Sequence, residues 1–544
     1  MQTGLPQNKQ ARLNSLTKDG GSEIKAEGAN RSTMDAALGT ASAWAQKYSP
    51  VVLTAIICLA YALRMVRLGT SSVWIDEIWS ISIARLPWHA FFWTVQNQDP
   101  NTSLYYAMLH FWIRLGNNEF AVRSMSVLLA AATVPAIYFL GSKLFGKSAG
   151  LIAGLLLAVN LFHLQWSQEA RAYSLVVLLV TLATLLFVRG MERSALGTWL
   201  AYAVFGILAV YAHLFGALVL AAHWASLIFL KPRQVPWKGL IASSAAIGVF
   251  SLPLLYLIHL RSKLPFVPLG WLPKPTAHNV YDVFYSLAGN AEYPGSQGGK
   301  PIVVVYAILC LIAVLAAAKS WRSSGRSTET WKLGLLLCWL FLPIAIVFVV
   351  SLVQPFFMAR YLLICAPAIV LLAARGIQVI PTRAMSLIAL VITVCLAVVQ
   401  LPHYYRHRVA FQEWRSVTSY VLANENPGDG IVFCVAPGKL LFDYYAGGYQ
   451  HSTNGSMDFI YPTYGDERED PQALNYLPPF DDVRLNSAAQ KHQRTWLIIY
   501  HDHFPTTKKA SGMLEATLAS QYPKVEQKKI DGVTLFLYSG QTSR

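Results

Sequence analysis

The sequence has little charge for its length. Of its 544 residues only 13% are Asp, Glu, Lys or Arg, whereas 54% are hydrophobic, and the mean hydropathy is +0.40. This balance excludes an ordinary soluble protein and is typical of a membrane protein. The formal charge of +16 lies in short Lys and Arg clusters between apolar runs, so it indicates topology and contacts with anionic lipid, and no nucleic-acid partner is expected.

Several common motifs are also missing. The chain has no dinucleotide-binding fingerprint, and the glycine-rich stretch 295–300 (GSQGGK) does not have the spacing of a phosphate-binding loop. Of the six cysteines, five lie inside apolar runs and Cys434 stands alone, so neither a disulfide framework nor a cysteine-based zinc site is predicted. The pattern leaves the redox compartment open.

Eleven apolar runs have lengths near the thickness of a bilayer, and they predict about eleven membrane-spanning helices. The runs cover residues 50–66, 121–140, 149–164, 172–187, 199–212, 215–230, 239–258, 302–317, 333–353, 361–374 and 385–401. Short loops on the cytoplasmic side should carry the excess of Lys and Arg. Alternate loops do so, which predicts a cytoplasmic N-terminus and an external C-terminal segment.

Three regions follow from this pattern. Residues 1–47 are polar and rich in Ser, Gly, Ala and Lys, so we expect a disordered cytoplasmic tail. Residues 48–402 form the membrane domain. Residues 403–544 alternate predicted strands at 430–435, 495–500 and 533–538 with helices at 411–423 and 511–521, which predicts a small extracytoplasmic α/β domain.

Two adjacent carboxylates, Asp76 and Glu77, follow the first span in the stretch 72–79 (SVWIDEIW). Charges at a membrane face need solvation, pairing or a function, so they mark a candidate site. A solvated loop that caps a helix is the alternative. The segment that follows, residues 81–115, is interrupted by polar residues and rich in aromatic ones, and this predicts helices that lie in the membrane interface.

A second candidate lies between the third and fourth spans, in the stretch 167–173 (SQEARAY). It contains Gln168, Glu169, Arg171 and Tyr173. A glutamate at a helix start and an arginine that extends to the interface have a purely structural explanation. However, Arg171 opposes the charge that a helix N-terminus favours, whereas its planar guanidinium suits an anionic ligand such as phosphate.

Three further positions share the external face. His213 lies at a turn between two spans, where a hydrogen-bonding role is the alternative to ligand binding. Arg360 and Tyr361 open the tenth span, again with an arginine where the helix dipole disfavours it. The cluster 403–408 (HYYRHR) is most simply an interfacial anchor, and His501-Asp502-His503 has no third metal ligand nearby in the sequence.

Together these motifs resemble the polytopic GT-C glycosyltransferases over about residues 50–400. The similarity rests on the Asp76-Glu77 pair, Gln98-Asp99-Pro100, the Gln-Glu-Ala-Arg motif, the Tyr-x-His-x-Phe-Gly turn and the Arg360-Tyr361 pair. The branch is that of protein O-mannosyltransferases, lipid A aminoarabinose transferases and RgtA/B/C/D-like bacterial enzymes. The sequence Asp99-Pro100-Asn101 differs from the His-Pro-Pro that relatives often have.

This resemblance implies a hexosyl- or pentosyltransferase that uses a polyprenyl-phosphate-linked sugar at the external face of a bacterial cell membrane. Asp76 and Glu77 are then expected to be catalytic. The implied substrate-binding residues are Asp99, Gln168, Glu169, Arg171, Tyr173, His213, Arg360 and Tyr361. A divalent ion held by Asp99 and His213 is possible, and no other cofactor is expected. The chain has no Asp-x-Asp motif, which many nucleotide-sugar enzymes use.

Two alternatives remain open at this point. A ligase or polymerase of lipid-linked glycans would use a related chemistry with a diphosphate-linked donor. A transporter or flippase would place polar residues at the middle of the spans and pair broken helices, whereas the ionisable residues here gather at one membrane face. The resemblance is compatible with three classes of acceptor, namely a lipid, a glycan or a protein.

Overall fold

The computed structural model describes residues 47–262, 272–292, 299–408, 413–447, 457–461, 482–500 and 505–540. Residues 1–46 of the predicted tail, the stretch 462–481 and the sequence His501-Asp502-His503 lie outside these ranges.

The membrane domain is helical throughout its described part. Its helices are α1 Lys47–Met65, α2 Ile75–Arg85, α3 Trp88–Asn97, α4 Ser103–Trp112, α5 Glu119–Phe145, α6 Lys147–Val159, α7 Leu161–Ser167, α8 Tyr173–Glu192, α9 Leu196–Ala212, α10 Gly216–Ser226, α11 Trp237–Ser262, α12 Ala277–Leu287, α13 Lys300–Ser324, α14 Thr328–Ser351, α15 Ala366–Gln378, α16 Arg383–Val398 and α17 Leu401–His407. A 3-10 helix, Ala359–Cys365, precedes α15.

Within the described residues, eight helical segments are long and apolar enough to cross a membrane. They are α1, α5, α8, α11, α13, α14 and the segments Ala359–Gln378 and Arg383–His407. The bent pair α6 and α7 makes a ninth candidate, and α9 and Gly216–Phe229 are apolar but shorter. Every predicted span therefore falls on an apolar helix and the membrane-protein class is confirmed, whereas the count of eleven stays a prediction.

The predicted interfacial segment contains three short helices, α2, α3 and α4. Several large apolar side chains on α3 and α4 are exposed, among them Trp88, Phe92, Trp93 and Phe111. Exposed aromatic side chains beside apolar spans suit the boundary between lipid and water. This surface agrees with the sequence-based prediction of interfacial helices.

The third predicted span is broken at Asn160, where α6 and α7 meet at 59°. The Asn160 side chain caps α7 by accepting from the His163 N–H at 2.9 Å. The last carbonyls of α6 need partners from outside the helix. The buried Arg64 guanidinium donates to Leu157 O at 3.3 Å and Ala158 O at 3.0 Å. This bend leads the chain from α7 into the Gln-Glu-Ala-Arg stretch.

The C-terminal region is the predicted small α/β domain. Its elements are α18 Trp414–Asn424, β1 Gly430–Phe433, α19 Ala436–Tyr445, β2 Asp458–Tyr461, α20 Asp482–Ala489, β3 Arg494–Tyr500, α21 Pro505–Ala519, β4 Lys524–Ile530 and β5 Val533–Ser539. The strand order is β2-β1-β3-β5-β4, in which β1 is parallel to β2 and β3 while β5 is antiparallel to β3 and β4. The sequence-based prediction missed β2, β4 and the helices α19 and α20. β4 is a Lys-rich edge strand with almost no buried side chain to produce an apolar alternation, and β2 is an edge strand of only four residues.

Candidate active site

The carboxylate pair lies in the first turn of α2, where negative charge is favoured by the helix dipole. The two side chains have different surroundings. Glu77 is fully buried, whereas Asp76 is partly exposed. Among the described residues, no hydrogen-bond donor or cation pairs with the Asp76 carboxylate. Asp76 is therefore the member of the pair that can meet a substrate.

Glu77 forms a buried ion pair with Arg123 of α5. The Arg123 Nε and one terminal nitrogen donate to the two Glu77 oxygens at 2.7 and 2.6 Å. The remaining Arg123 donors bind the carbonyls of Leu68, Ser71 and Ser72 at 2.8 to 3.0 Å. One arginine thus fastens both α2 and the loop that precedes it, and the predicted catalytic residue Glu77 occupies a position suited to holding that loop.

The same loop is bound from the other side by the C-terminal domain. The Val73 N–H donates to the Tyr445 hydroxyl at 2.6 Å, and that hydroxyl donates to Glu119 at 3.0 Å. Arg415 pairs with the same Glu119 carboxylate and also donates to the carbonyl of Gly69. The C-terminal domain therefore contacts directly the loop that leads to Asp76.

In the second predicted motif, Gln168 and Glu169 are bonded to neighbouring protein groups. The buried Gln168 amide donates to the carbonyls of Arg64 and Val66 and accepts from the Tyr404 hydroxyl at 3.0 Å. Glu169 accepts from Trp74 Nε1 at 2.6 Å and lies 3.7 Å from Arg408.

Electrostatics separates Glu169 from an ordinary carboxylate. Burial, followed by the nearby charge of Glu77, raises the pKa of Glu169 to about 8, although Arg123 and Arg408 act in the opposite direction. Glu77 thus favours the protonated form of Glu169, whereas Arg123 and Arg408 favour its ionised form.

Arg171 lies directly beside Asp76. Its guanidinium donates to the Asp76 carbonyl at 3.1 Å and to Ser80 Oγ at 3.2 Å. Burial lowers its pKa, but the charges of Asp76, Tyr106 and other neighbours outweigh this effect, and the net pKa is raised above the usual value. Arg171 is therefore a cation that lies among acidic groups, which include Asp76 and Asp99.

Three rings surround the next part of the site. Tyr173, His213 and Tyr361 lie with centroids 5.9 to 6.5 Å apart. The Arg360 guanidinium lies 5.5 Å from the ring centroid of Trp166 and 5.6 Å from that of Tyr361. Tyr361 of the predicted Arg-Tyr pair thus lies near Tyr173, at the start of α8, and near His213, in the turn after α9. The pair itself lies in the 3-10 helix Ala359–Cys365.

Asp99 and His213 are bonded to different partners. Asp99 accepts from the Tyr106 hydroxyl at 2.6 Å, and the residue next to His213 Nε2 is Asn101, at 3.5 Å. In the described part of the chain, no three His, Cys, Asp or Glu residues form a group that could hold a metal ion. These surroundings do not supply a complete ligand set, so metal binding by Asp99 and His213 stays a prediction and no step below uses a metal.

Glu292 is a site residue that the sequence reasoning missed. Its backbone N–H donates to Gln165 Oε1 at 2.9 Å. Burial raises the pKa of its carboxyl group, and the charge and backbone N–H of Arg360 oppose that shift. The charge of Asp76 also reaches this carboxyl group. The available signal was an isolated acid in the long segment between α11 and α13, which has no motif around it.

The arrangement combines an unpaired acid with one half-buried and one buried cation at one end of the helices. Asp76 supplies the acid, and Arg171 and Arg360 supply the cations. Such a site can take up a proton while it stabilises negative charge on a nearby group.

Comparison with known proteins gives one family match and several similar folds. Residues 99–258 match the family model described as dolichyl-phosphate-mannose-protein mannosyltransferase. No curated protein sequence gives a significant match.

The fold is similar to ArnT from Cupriavidus metallidurans. The apo structure has a TM-score of 0.60 and the structure bound to undecaprenyl phosphate has 0.58, each with 13% identity over 89% of this chain and 97% of ArnT. The Archaeoglobus fulgidus oligosaccharyltransferase complex with Zn and sulfate has a TM-score of 0.52 and 12% identity, over 90% of this chain and 73% of that one. Residues 99–258 thus match a glycosyltransferase family model and the chain as a whole has a fold similar to that of ArnT, and both findings support the predicted resemblance to GT-C membrane glycosyltransferases.

Proposed function

We propose that this protein transfers a sugar from a polyprenyl-phosphate-linked donor to an acceptor hydroxyl at the extracytoplasmic face of the membrane, with inversion at the anomeric carbon. The observation that carries the proposal is the Asp76 carboxylate, which has no hydrogen-bond or ion-pair partner among the described residues and whose charge raises the pKa of Arg171. The Arg171 guanidinium donates to the Asp76 carbonyl at 3.1 Å.

The chemistry follows from these groups. The acceptor hydroxyl is a poor nucleophile, and Asp76 takes its proton as the oxygen attacks the anomeric carbon. The bond between that carbon and the phosphate oxygen breaks, and its electron pair leaves with the polyprenyl phosphate. Arg171 and Arg360 stabilise the negative charge that develops on the phosphate. Glu77 acts as a positioning residue through Arg123.

An apolar groove supports a lipid-linked donor. It has a volume of about 240 Å³ and lies between α9, α10 and α11, with Val210, Leu220 and Ile247 among its lining residues. Leu214, which also lines it, directly follows His213 of the site. A chain bound there would lie beside the aromatic end of the site. The ArnT structure that binds undecaprenyl phosphate shares this fold.

The phosphate-binding role of Arg171 gives the test of the function. In proteoliposomes supplied with polyprenyl-phosphate sugars, the wild type should release polyprenyl phosphate, and Arg171→Gln should lower kcat/KM by about 10²–10³-fold, as the loss of a transition-state donor does. Arg171→Lys keeps the charge but loses the planar fork, so it should recover only part of the activity.

Arg406→Gln is the matched control, because it removes the same charge from an exposed residue at the predicted external face. It should retain wild-type kcat/KM. Transfer only from a diphosphate-linked donor would favour a ligase or polymerase, and wild-type kcat/KM in a well-folded Arg171→Gln protein would remove the proposed role of this arginine.

Sidedness follows from the loop charges. Lys143 lies in the last turn of α5 and Lys147 begins α6, while Arg189 lies in the last turn of α8 and Arg193 follows that helix, so these helix ends and their connections should be cytoplasmic. The site and the C-terminal domain would then be external. A reporter that is active only outside the cytoplasm, fused after Arg544, should be active, and a reporter signal confined to the cytoplasm would contradict this orientation.

A further inference from the structure

The turn after α9 determines which nitrogen of His213 carries a proton. The backbone N–H of Phe215 donates to His213 Nδ1 at 3.2 Å. An N–H group can only donate, so Nδ1 must be the unprotonated acceptor, and the proton of the neutral imidazole is on Nε2. The ring nitrogen that can donate to a ligand is therefore Nε2.

The neighbouring Asn101 is oriented in the same way. Its Oδ1 accepts from the backbone N–H of Leu214 at 2.9 Å. The amide oxygen is thereby assigned, and the other end of the amide, Nδ2, lies 3.5 Å from His213 Nε2. An amide NH₂ group only donates. Two donors thus stand side by side, and neither can accept a hydrogen bond from the other.

We propose that Asn101 Nδ2 and His213 Nε2 form a neutral donor pair that binds one phosphoryl oxygen of the lipid-linked donor. This inference rests on the proposed function and names a subsite within it. His213 is buried and Asn101 is partly buried. Donors without acceptors are costly in such a place, and a ligand oxygen between the two nitrogens removes that cost. His213 is only 7% exposed, so solvent access to this pair is limited.

A phosphoryl oxygen fits this place better than a neutral oxygen. The positive charge of Arg171 reaches His213, and it would attract an anionic group to the pair. Leu214 follows His213, donates its N–H to Asn101 Oδ1, and also lines the apolar groove. A phosphate at the donor pair would therefore lie near a cation and near apolar surface for its lipid chain.

This assignment gives His213 the role of a hydrogen-bond donor to the ligand. The residue that cooperates with it is Asn101, which the sequence analysis did not select. Asp99, two residues earlier, is bound to Tyr106 instead.

The test measures binding of two lipids, undecaprenyl phosphate and an undecaprenyl-phosphate sugar, to the full-length protein in nanodiscs. Asn101→Asp is nearly isosteric but puts an acceptor where Nδ2 stood. We expect it to lower the affinity for both lipids by about 10- to 100-fold, the size of a lost hydrogen bond to a charged group. His213→Ala should lower both affinities similarly, whereas His213→Gln, which can again place an amide nitrogen there, should recover part of the affinity.

The matched control is Asn97→Asp, the same substitution at an exposed residue of α3 whose amide donates to Trp93 O. It should leave both affinities unchanged. If Asn101→Asp weakens only the sugar-bearing lipid, the pair binds a sugar hydroxyl and the phosphoryl assignment is wrong. If it changes neither affinity while the wild type binds both lipids, the donor pair is wrong but the proposed function stands. If the wild type binds neither lipid, both fail.

Discussion

Replacement of Asp76 by asparagine should lower kcat by about 10²–10⁴-fold, the usual contribution of a general base. The asparagine side chain keeps the shape and the helix N-terminal position but cannot take the acceptor proton. Because Asp76 makes no ion pair with the described residues, its loss should leave the fold and donor binding nearly unchanged. The measurements are single-turnover transfer, donor affinity and the unfolding temperature of the same preparation.

Asp282→Asn provides the comparison for this experiment. Asp282 lies on α12, its side chain is 45% exposed, and its carboxylate lies 3.6 Å from His278. The substitution removes the same charge from a group that does not face Asp76, so turnover should stay at the wild-type level. Normal turnover by a folded Asp76→Asn protein would show that another group takes the proton.

The second large effect concerns stability. Glu77→Gln leaves the Arg123 cation buried without its counter-charge, and Arg123→Met leaves the Glu77 carboxylate in the same condition. Each substitution should lower the free energy of unfolding by about 3–5 kcal/mol, as the loss of one partner of a buried ion pair does. The Arg123 substitution should be the more severe, because this side chain also binds three backbone carbonyls.

The double variant Glu77→Gln with Arg123→Met should cost less than the sum of the two single changes, because no charge is then left unpaired. Denaturant unfolding in detergent measures the free energy of unfolding of the two single variants and of the double variant. The control pair is Lys332 and Glu329, which are 2.7 Å apart with the glutamate side chain 62% exposed. Glu329→Gln should change the free energy of unfolding by less than about 1 kcal/mol. Additive losses at residues 77 and 123 would contradict a coupled pair.

Buried ion pairs often contribute little to net stability, so the Glu77–Arg123 pair needs another reason for its position. It lies between α2, the loop before it and the backbone N–H of Ala170, which donates to Glu77 at 2.9 Å. The pair therefore joins the carboxylate motif to the Gln-Glu-Ala-Arg motif. Its geometry maintains the approach of Arg171 to Asp76, which is the contact on which the proposed chemistry depends.

Many features of the fold follow from local composition. Each predicted apolar run forms a helix, because a chain in lipid must satisfy its backbone hydrogen bonds internally. The strands β1, β3 and β5 were predicted from apolar runs, whose residues are largely buried in β1 and β3 and alternate between buried and partly buried in β5. The exposed strand β4 was missed, because its position in the sheet depends on pairing with β5 rather than on its own pattern.

The candidate site divides in the same way. The sequence by itself determined that the carboxylates and arginines lie at the ends of apolar runs, because burying an unpaired charge in lipid is costly. Only the tertiary structure decided that Glu77 pairs with Arg123 while Asp76 stays unpaired, although the two acids are adjacent in the chain. It also brought Asn101 to His213 and Glu292 to Arg360. These partners are far apart in the sequence, and packing of the helices selects them.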